Sequence, residues 1–97
     1  MTLNTIFDEK NCTIFIEGSI DTLTARELEQ AVNEAAPKCE KMVLDMEKVD
    51  YISSGGLRVV VGANRTVGKG NLSLKNLAPN ALEIFRLTGF TKVLNIE

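Results

Sequence analysis

Two hydroxyls and two glycines stand together in Tyr51-Ile52-Ser53-Ser54-Gly55-Gly56-Leu57, the one stretch of the chain whose residue types and spacing suggest chemistry. Tyr51-Ile52 reads as the end of a buried strand, and a helix is expected to follow the glycines, so the turn between them is a strand-to-helix junction. The first amides of a helix lack intrahelical partners and the helix dipole biases them positive, which makes such a junction hospitable to an anion. A serine nucleophile is the other chemistry to weigh. It has no partner, because the chain contains no histidine to take the hydroxyl proton. Taken as residues alone, one serine caps the helix, its hydroxyl accepting from a backbone amide.

The remaining reactive types are sparse. Without histidine, Cys12 and Cys39 cannot join the usual zinc ligand sets or a Cys-His pair, and both read as reduced thiols. Cys12 is in phase with Ile14 and Ile16 and is expected to be a small core residue. Five of the seven glycines fall between Gly55 and Gly70, but they do not make a phosphate loop. Gly62 to Gly68-Lys69 has five intervening residues where that loop needs four, and Gly70 stands where a Ser or Thr would hold magnesium. Asp21 and Asp45 each border an apolar strand, where a carboxylate caps or turns the chain.

The composition sets the frame for these residues. A chain of 97 residues makes one domain, 1–97, with one core. The hydrophobic fraction of 44% and charged fraction of 25% are ordinary for a soluble globular protein. The formal net charge of −2 is spread along the chain with no basic stripe, which disfavours direct nucleic-acid binding. No apolar run reaches the roughly 20 residues of a membrane span, and the N-terminus lacks a charged-then-apolar signal. The expectation is a cytoplasmic protein without membrane insertion.

Periodicity supplies the elements that position the junction. Leu3 to Phe7 and Cys12 to Glu17 read as a hairpin around the polar turn Asp8-Glu9-Lys10-Asn11. The second strand is apolar on both faces at Ile14-Phe15-Ile16, is expected to be the more central, and closes at Gly18. Thr24-Ala25-Arg26-Glu27 has the spacing of a capping box. A helix should follow, with Ala25, Leu28, Ala31, Val32 and Ala35 on one face and its end at Pro37. Lys41 to Asp45 supplies a short strand, after which Val49 and Tyr51-Ile52 carry the chain back under the sheet.

From Gly56 to Val67 the β-branched run Val59-Val60-Val61 competes with the helix reading, and length with the serine caps decides for helix, Leu57, Val60, Val61 and Asn64 on one face. Gly68-Lys69-Gly70 stops it before a strand at Leu72 to Lys75. Pro79 opens a last helix, with Asn80 and Glu83 as a second cap pattern and Leu82, Ile84 and Phe85 inward. Gly89 ends it in the left-handed region. Phe90 and Val93-Leu94 lead into a final short strand. The order β-β-α-β-α-β-α-β predicts an α/β fold, a mixed β-sheet covered by helices with right-handed crossovers.

With these elements placed, the run Val43-Leu44-Asp45-Met46-Glu47-Lys48-Val49-Asp50-Tyr51-Ile52-Ser53-Ser54-Gly55-Gly56-Leu57 resembles the signature of the STAS domain, in particular the bacterial anti-sigma factor antagonists. Glu17-Gly18-Ser19-Ile20-Asp21 resembles the family's G-x-L-D segment and Leu87-Thr88-Gly89-Phe90 its C-terminal L-x-G-hydrophobic segment. The resemblance implies a regulatory binding protein, not an enzyme, with no cofactor and no catalytic residues. Its partner would be an anti-sigma factor that is also a serine kinase, and binding would free a sigma factor. Phosphorylation at the helix start ends that interaction in the family, and a phosphatase restores it. The partner-binding residues it implies are Asp21, Ser53, Ser54, Gly55, Gly56, Leu57 and Arg58.

The family's tetrad is Asp-Ser-Ser-Gly or Asp-Ser-Thr-Gly, with the acceptor before the last glycine. In register with Gly56-Leu57, Ser53 takes the Asp place, Ser54 the first Ser and Gly55 the acceptor place. Three outcomes follow: a binding module with no switch here, Ser54 as a substitute acceptor one residue early, or regulation elsewhere. A step of one residue on a helix turns a side chain by about 100°, which argues for the first. Arg58 stands where relatives often carry a small residue, and either pairs with an acidic partner group or is simply solvated. The alternative within the same fold is a non-switching STAS subunit of a lipid-transport ABC system or another regulatory assembly.

Overall fold

The computed structural model describes all of Met1–Glu97. Strand β1 (Thr2–Asp8) and strand β2 (Asn11–Ile20) form the expected antiparallel hairpin, Phe7 opposite Cys12 and Asp8 opposite Asn11. Glu9 takes a φ of 56° at the two-residue turn, the left-handed backbone that tight hairpins need. Helix α1 (Thr24–Ala35) and a 3-10 turn at Ala36–Lys38 lead to strand β3 (Lys41–Ile52). Helix α2 (Ser54–Val67), strand β4 (Leu72–Lys75), helix α3 (Pro79–Leu87), a 3-10 turn at Phe90–Lys92 and strand β5 (Asn95–Ile96) complete the chain.

The sheet order is β1-β2-β3-β4-β5, and every pairing after the hairpin is parallel. Successive strand residues point to opposite faces, so Cys12, Ile14 and Ile16 of β2, Met42, Leu44 and Met46 of β3, and Leu72 and Leu74 of β4 form one buried layer. Against it lie Ala25, Leu28, Val32 and Ala35 of α1 and Leu57, Val60 and Ala63 of α2. Phe85 of α3 is fully buried in the same core. Each such large side chain contributes about 1.5–3 kcal/mol against the entropy of ordering it.

Four expectations are corrected. β3 is not a short strand with a return beneath the sheet; it is one strand of 12 residues beside β2. Its register slips between Phe15 and Glu17 and between Gly18 and Ser19, each slip adding one residue on β3. Each bulge reverses the phase of in–out alternation, which is why Glu47-Lys48 and Asp50 hid the strand. β2 does not close at Gly18 but passes through it at φ 107° to Ile20. It is central, yet covered on one face only: Phe15 is 42% exposed. The Asn80-Glu83 cap is not made, since Ala78 precedes α3 without a side-chain cap and Glu83 pairs with Arg86 at 3.0 Å.

The helical reading of Val59–Val61 holds, with α2 starting two residues before Gly56, at Ser54. Asn64 lies inward; its Nδ2 donates to the Val93 carbonyl at 3.3 Å, while its Oδ1 is buried without a partner. Gly89 has a φ of 79°, as a helix-ending glycine should.

Candidate partner-binding edge

Both parallel crossovers from the centre of the sheet leave from the same end, one at Asp21 after β2 and one at Ser53 after β3. At the first, the Asp21 carbonyl accepts the Ala25 amide at 2.8 Å, a helical bond made before α1 formally begins. The Asp21 Oδ1 accepts the Leu23 and Thr24 amides, each at 2.9 Å. Asp21 therefore caps α1, and the Thr24–Glu27 capping box is not formed. The Thr24 hydroxyl is committed elsewhere: it accepts from the Asp21 amide at 2.8 Å and donates to the Ser19 carbonyl at 2.7 Å. Hydrogen bonds from the Thr24 backbone and side chain and the Leu23 backbone stabilise the carboxylate and hold Asp21 below its ordinary pKa, against a smaller opposing effect of burial.

The second turn is built from short side chains. Ser53 is extended at φ −87°, ψ 173°, and its hydroxyl accepts the Gly56 amide at 3.1 Å, the cap expected of one of the two serines. Its own amide donates to the Ile20 carbonyl at 2.8 Å, which ties the α2 start to the end of β2. Gly56 is buried because α2 presses directly on that carbonyl. A Cβ there would lie 2.7 Å from the Ile20 oxygen and 2.9 Å from Ile52 Cγ1. Gly55 is different. A Cβ at 55 would sit 3.5 Å from Thr22 Oγ1 and 3.6 Å from Ser53 Oγ, ordinary contact distances.

The two turns are thus neighbours, and Thr22 of the Asp21 loop faces Gly55 at the first turn of α2. Of the seven residues singled out from sequence, Ser54 and Arg58 are exposed, and Asp21, Ser53 and Gly55 are half-buried. Gly56 and Leu57 are buried and shape the turn without lying on its surface. Asp45 is not part of this edge: its Oδ1 accepts the Glu47 amide in the β3 bulge at 3.0 Å and its Oδ2 the Asn76 side-chain amide at 3.1 Å. The amides of Ser54 and Gly55 have no partner, leaving the anion-friendly patch expected at a helix start.

Sequence reasoning missed two surfaces here. Leu23, next to the Asp21 cap, is 77% exposed. A groove of about 490 Å³ runs along α2 from Ser54 past Arg58 to Arg65, closed on its far side by Thr88 and Phe90. The Leu87-Thr88-Gly89-Phe90 motif was visible, but only the left-handed Gly89 turns Phe90 toward α2. A larger concavity of about 1030 Å³ opens on the uncovered sheet face near Thr13, Ser73 and Arg86, away from both turns.

A mixed five-stranded sheet with three helices, and a polar edge where two crossovers meet, define a small α/β fold. The chain belongs to the STAS domain family, whose model matches residues 2–97. It is 32% identical over 94 residues to the anti-sigma-B factor antagonist of Listeria monocytogenes, covering 93% of this chain and 82% of that protein. To the anti-sigma-B factor antagonist of Bacillus subtilis it is 30% identical over 92 residues, 93% of this chain and 84% of that protein. A crystal structure of an anti-sigma factor antagonist from Mycobacterium paratuberculosis superposes with a TM-score of 0.87 at 25% identity, covering 98% of this chain and 83% of that one. The chain is an anti-sigma factor antagonist-like member of the family. No helix in it is long and apolar enough to cross a membrane.

Proposed function

We propose that this protein binds an anti-sigma factor that is also a serine kinase, through the Asp21 loop and the first turn of α2, and so releases a sigma factor in the cytoplasm. In this reading the edge binds without being switched by phosphate at the family's usual place. The observation that carries it is position 55. Gly55 lies half-buried in the first turn of α2, beside the Asp21 loop, and bears no hydroxyl. A phosphate there would add about −1.5 to −2 charges beside Thr22 of the Asp21 loop and against any acidic partner surface; glycine removes that means of release. A phosphatase then has nothing to reverse at this position.

The test is a titration of the unmodified protein with the anti-sigma factor kinase of its own organism, followed by ATP and mass spectrometry. A saturable complex is expected, with no phosphate on Ser53 or Ser54. Absence of a complex would remove the binding reading, and stoichiometric phosphate on Ser54 would remove the non-switching one. Gly55→Ser is accommodated at ordinary contact distance from Thr22; it is expected to gain phosphate on the new serine and to lose partner binding when phosphorylated.

A further inference from the structure

The chain's two cysteines are 27 residues apart in sequence, yet their Sγ atoms lie 3.2 Å apart, one thiol donating to the other. Cys12 is the second residue of β2, paired with Phe7 of β1 on one side and Met42 of β3 on the other, and is buried. Cys39 follows the 3-10 turn in extended backbone, φ −144° and ψ 159°, and is half-buried. Both are free thiols. Neither packing nor the binding edge needs two sulfurs to meet: a small apolar residue fills either place, and the edge lies at the other pole. Cys12 and Ile20 are eight residues apart along β2, about 26 Å of strand.

We propose that Cys12 and Cys39 are a modification site, converted by a low-molecular-weight disulfide of the glutathione type into an intramolecular disulfide. Cys39, the reachable partner, loses its proton and attacks one sulfur of the small disulfide; a Cys39–S bond forms, the S–S bond of the reagent breaks, and one thiolate leaves and takes up the proton that Cys39 released. Cys12 then gives up its proton and attacks Cys39 Sγ, and the second thiolate leaves and takes up that proton. Two protein thiols are oxidised and one small disulfide is reduced to two thiols. Sulfurs 3.2 Å apart need to approach by about 1.2 Å to reach bonding distance. Burial first, then the hydrogen bond and charge of Cys39, push the Cys12 thiol up to about 12, so Cys12 is the poor first nucleophile and the resolving one.

The ring so closed contains all of α1, and the bond fastens the α1–β3 crossover to β2. A loop of this length restricts the unfolded chain substantially. With no third cysteine in the chain, no other intramolecular pairing competes.

The experiment treats the full folded chain with oxidised glutathione, quenches with an alkylating reagent and records intact mass and melting temperature. Expected are the loss of two hydrogens, no alkylation of either cysteine, and a melting temperature higher by about 10 °C that dithiothreitol reverses. Cys39→Ser is expected to leave Cys12 without glutathione and the melting temperature unmoved by the reagent, and Cys39→Ala the same. A lasting glutathione adduct on Cys39, a disulfide-linked dimer, two thiols still open to alkylation, or a bond that lowers the melting temperature would each overturn the proposal. Partner binding plays no part in these readouts, so they stand or fall apart from the proposed function.

Discussion

Gly55 and Gly56 are adjacent, helical and indistinguishable by residue type, and their surroundings make opposite demands. The Ile20 carbonyl that a Cβ at 56 would strike is fixed by the Ser53 amide. Gly56→Ala must therefore lift the start of α2, and a loss of about 1–3 kcal/mol in urea unfolding is expected. At 55 no atom need move, and Gly55→Ala is expected to be neutral or to gain up to about 1 kcal/mol from the stiffer unfolded chain. Equal effects at the two positions would contradict this geometry. Ser53→Ala, which leaves the Gly56 amide without its acceptor, should cost about 1 kcal/mol. The motif was legible in the sequence, as was the helix cap. Which glycine is obligatory was not, because that depends on Ile20, a residue 36 positions away.

At the scale of elements, α1 shows how a correct boundary rested on the wrong residues. Thr24-x-x-Glu27 has the spacing of a capping box, but spacing does not reveal that the Thr24 hydroxyl is engaged with Ser19 and Asp21. The cap is Asp21, and its charge makes the cap sensitive to acid. A carboxylate whose pKa is lower in the folded chain contributes stability that is present above its ordinary value of 3.8 and is lost as pH falls through the folded value. An NMR titration of the Asp21 carboxyl is expected to have its midpoint below 3.8, and a midpoint at or above it would refute the arrangement. Asp21→Asn keeps an acceptor and should flatten that part of the acid unfolding profile. The bulged half of β3 was illegible for a related reason: pattern reading assumes a fixed phase, and each extra residue resets it. α2 survived its valines because the cap at Ser53 and the packing of Leu57, Val60 and Ala63 outweigh β-propensity.

For the molecule as a whole, sequence periodicity put Cys12 in phase with Ile14 and Ile16 but did not reveal the bareness of the opposite face. Ile14-Phe15-Ile16 looks uniformly buried, and only the placement of the helices separates Ile14, at 0% exposure, from Phe15, at 42%. Ile14→Thr is accordingly expected to cost several-fold more unfolding free energy than Phe15→Thr, the latter within about 1 kcal/mol in chemical denaturation. The two poles of the sheet divide the chemistry, with sulfur at the leading ends of β2 and β3 and the polar turns at their trailing ends. One consequence of the Ser53–Ile20 bond belongs to time. Native-state hydrogen exchange should find the Ser53 amide keeping its proton as long as the β2–β3 pairing lasts, and the Gly56 amide as long as its serine cap holds. Between them, the amides of Ser54 and Gly55 should exchange as fast as those of an open peptide. An anion seated at this turn would register as a slowing at those two positions, a pair of clocks set into the edge of the fold.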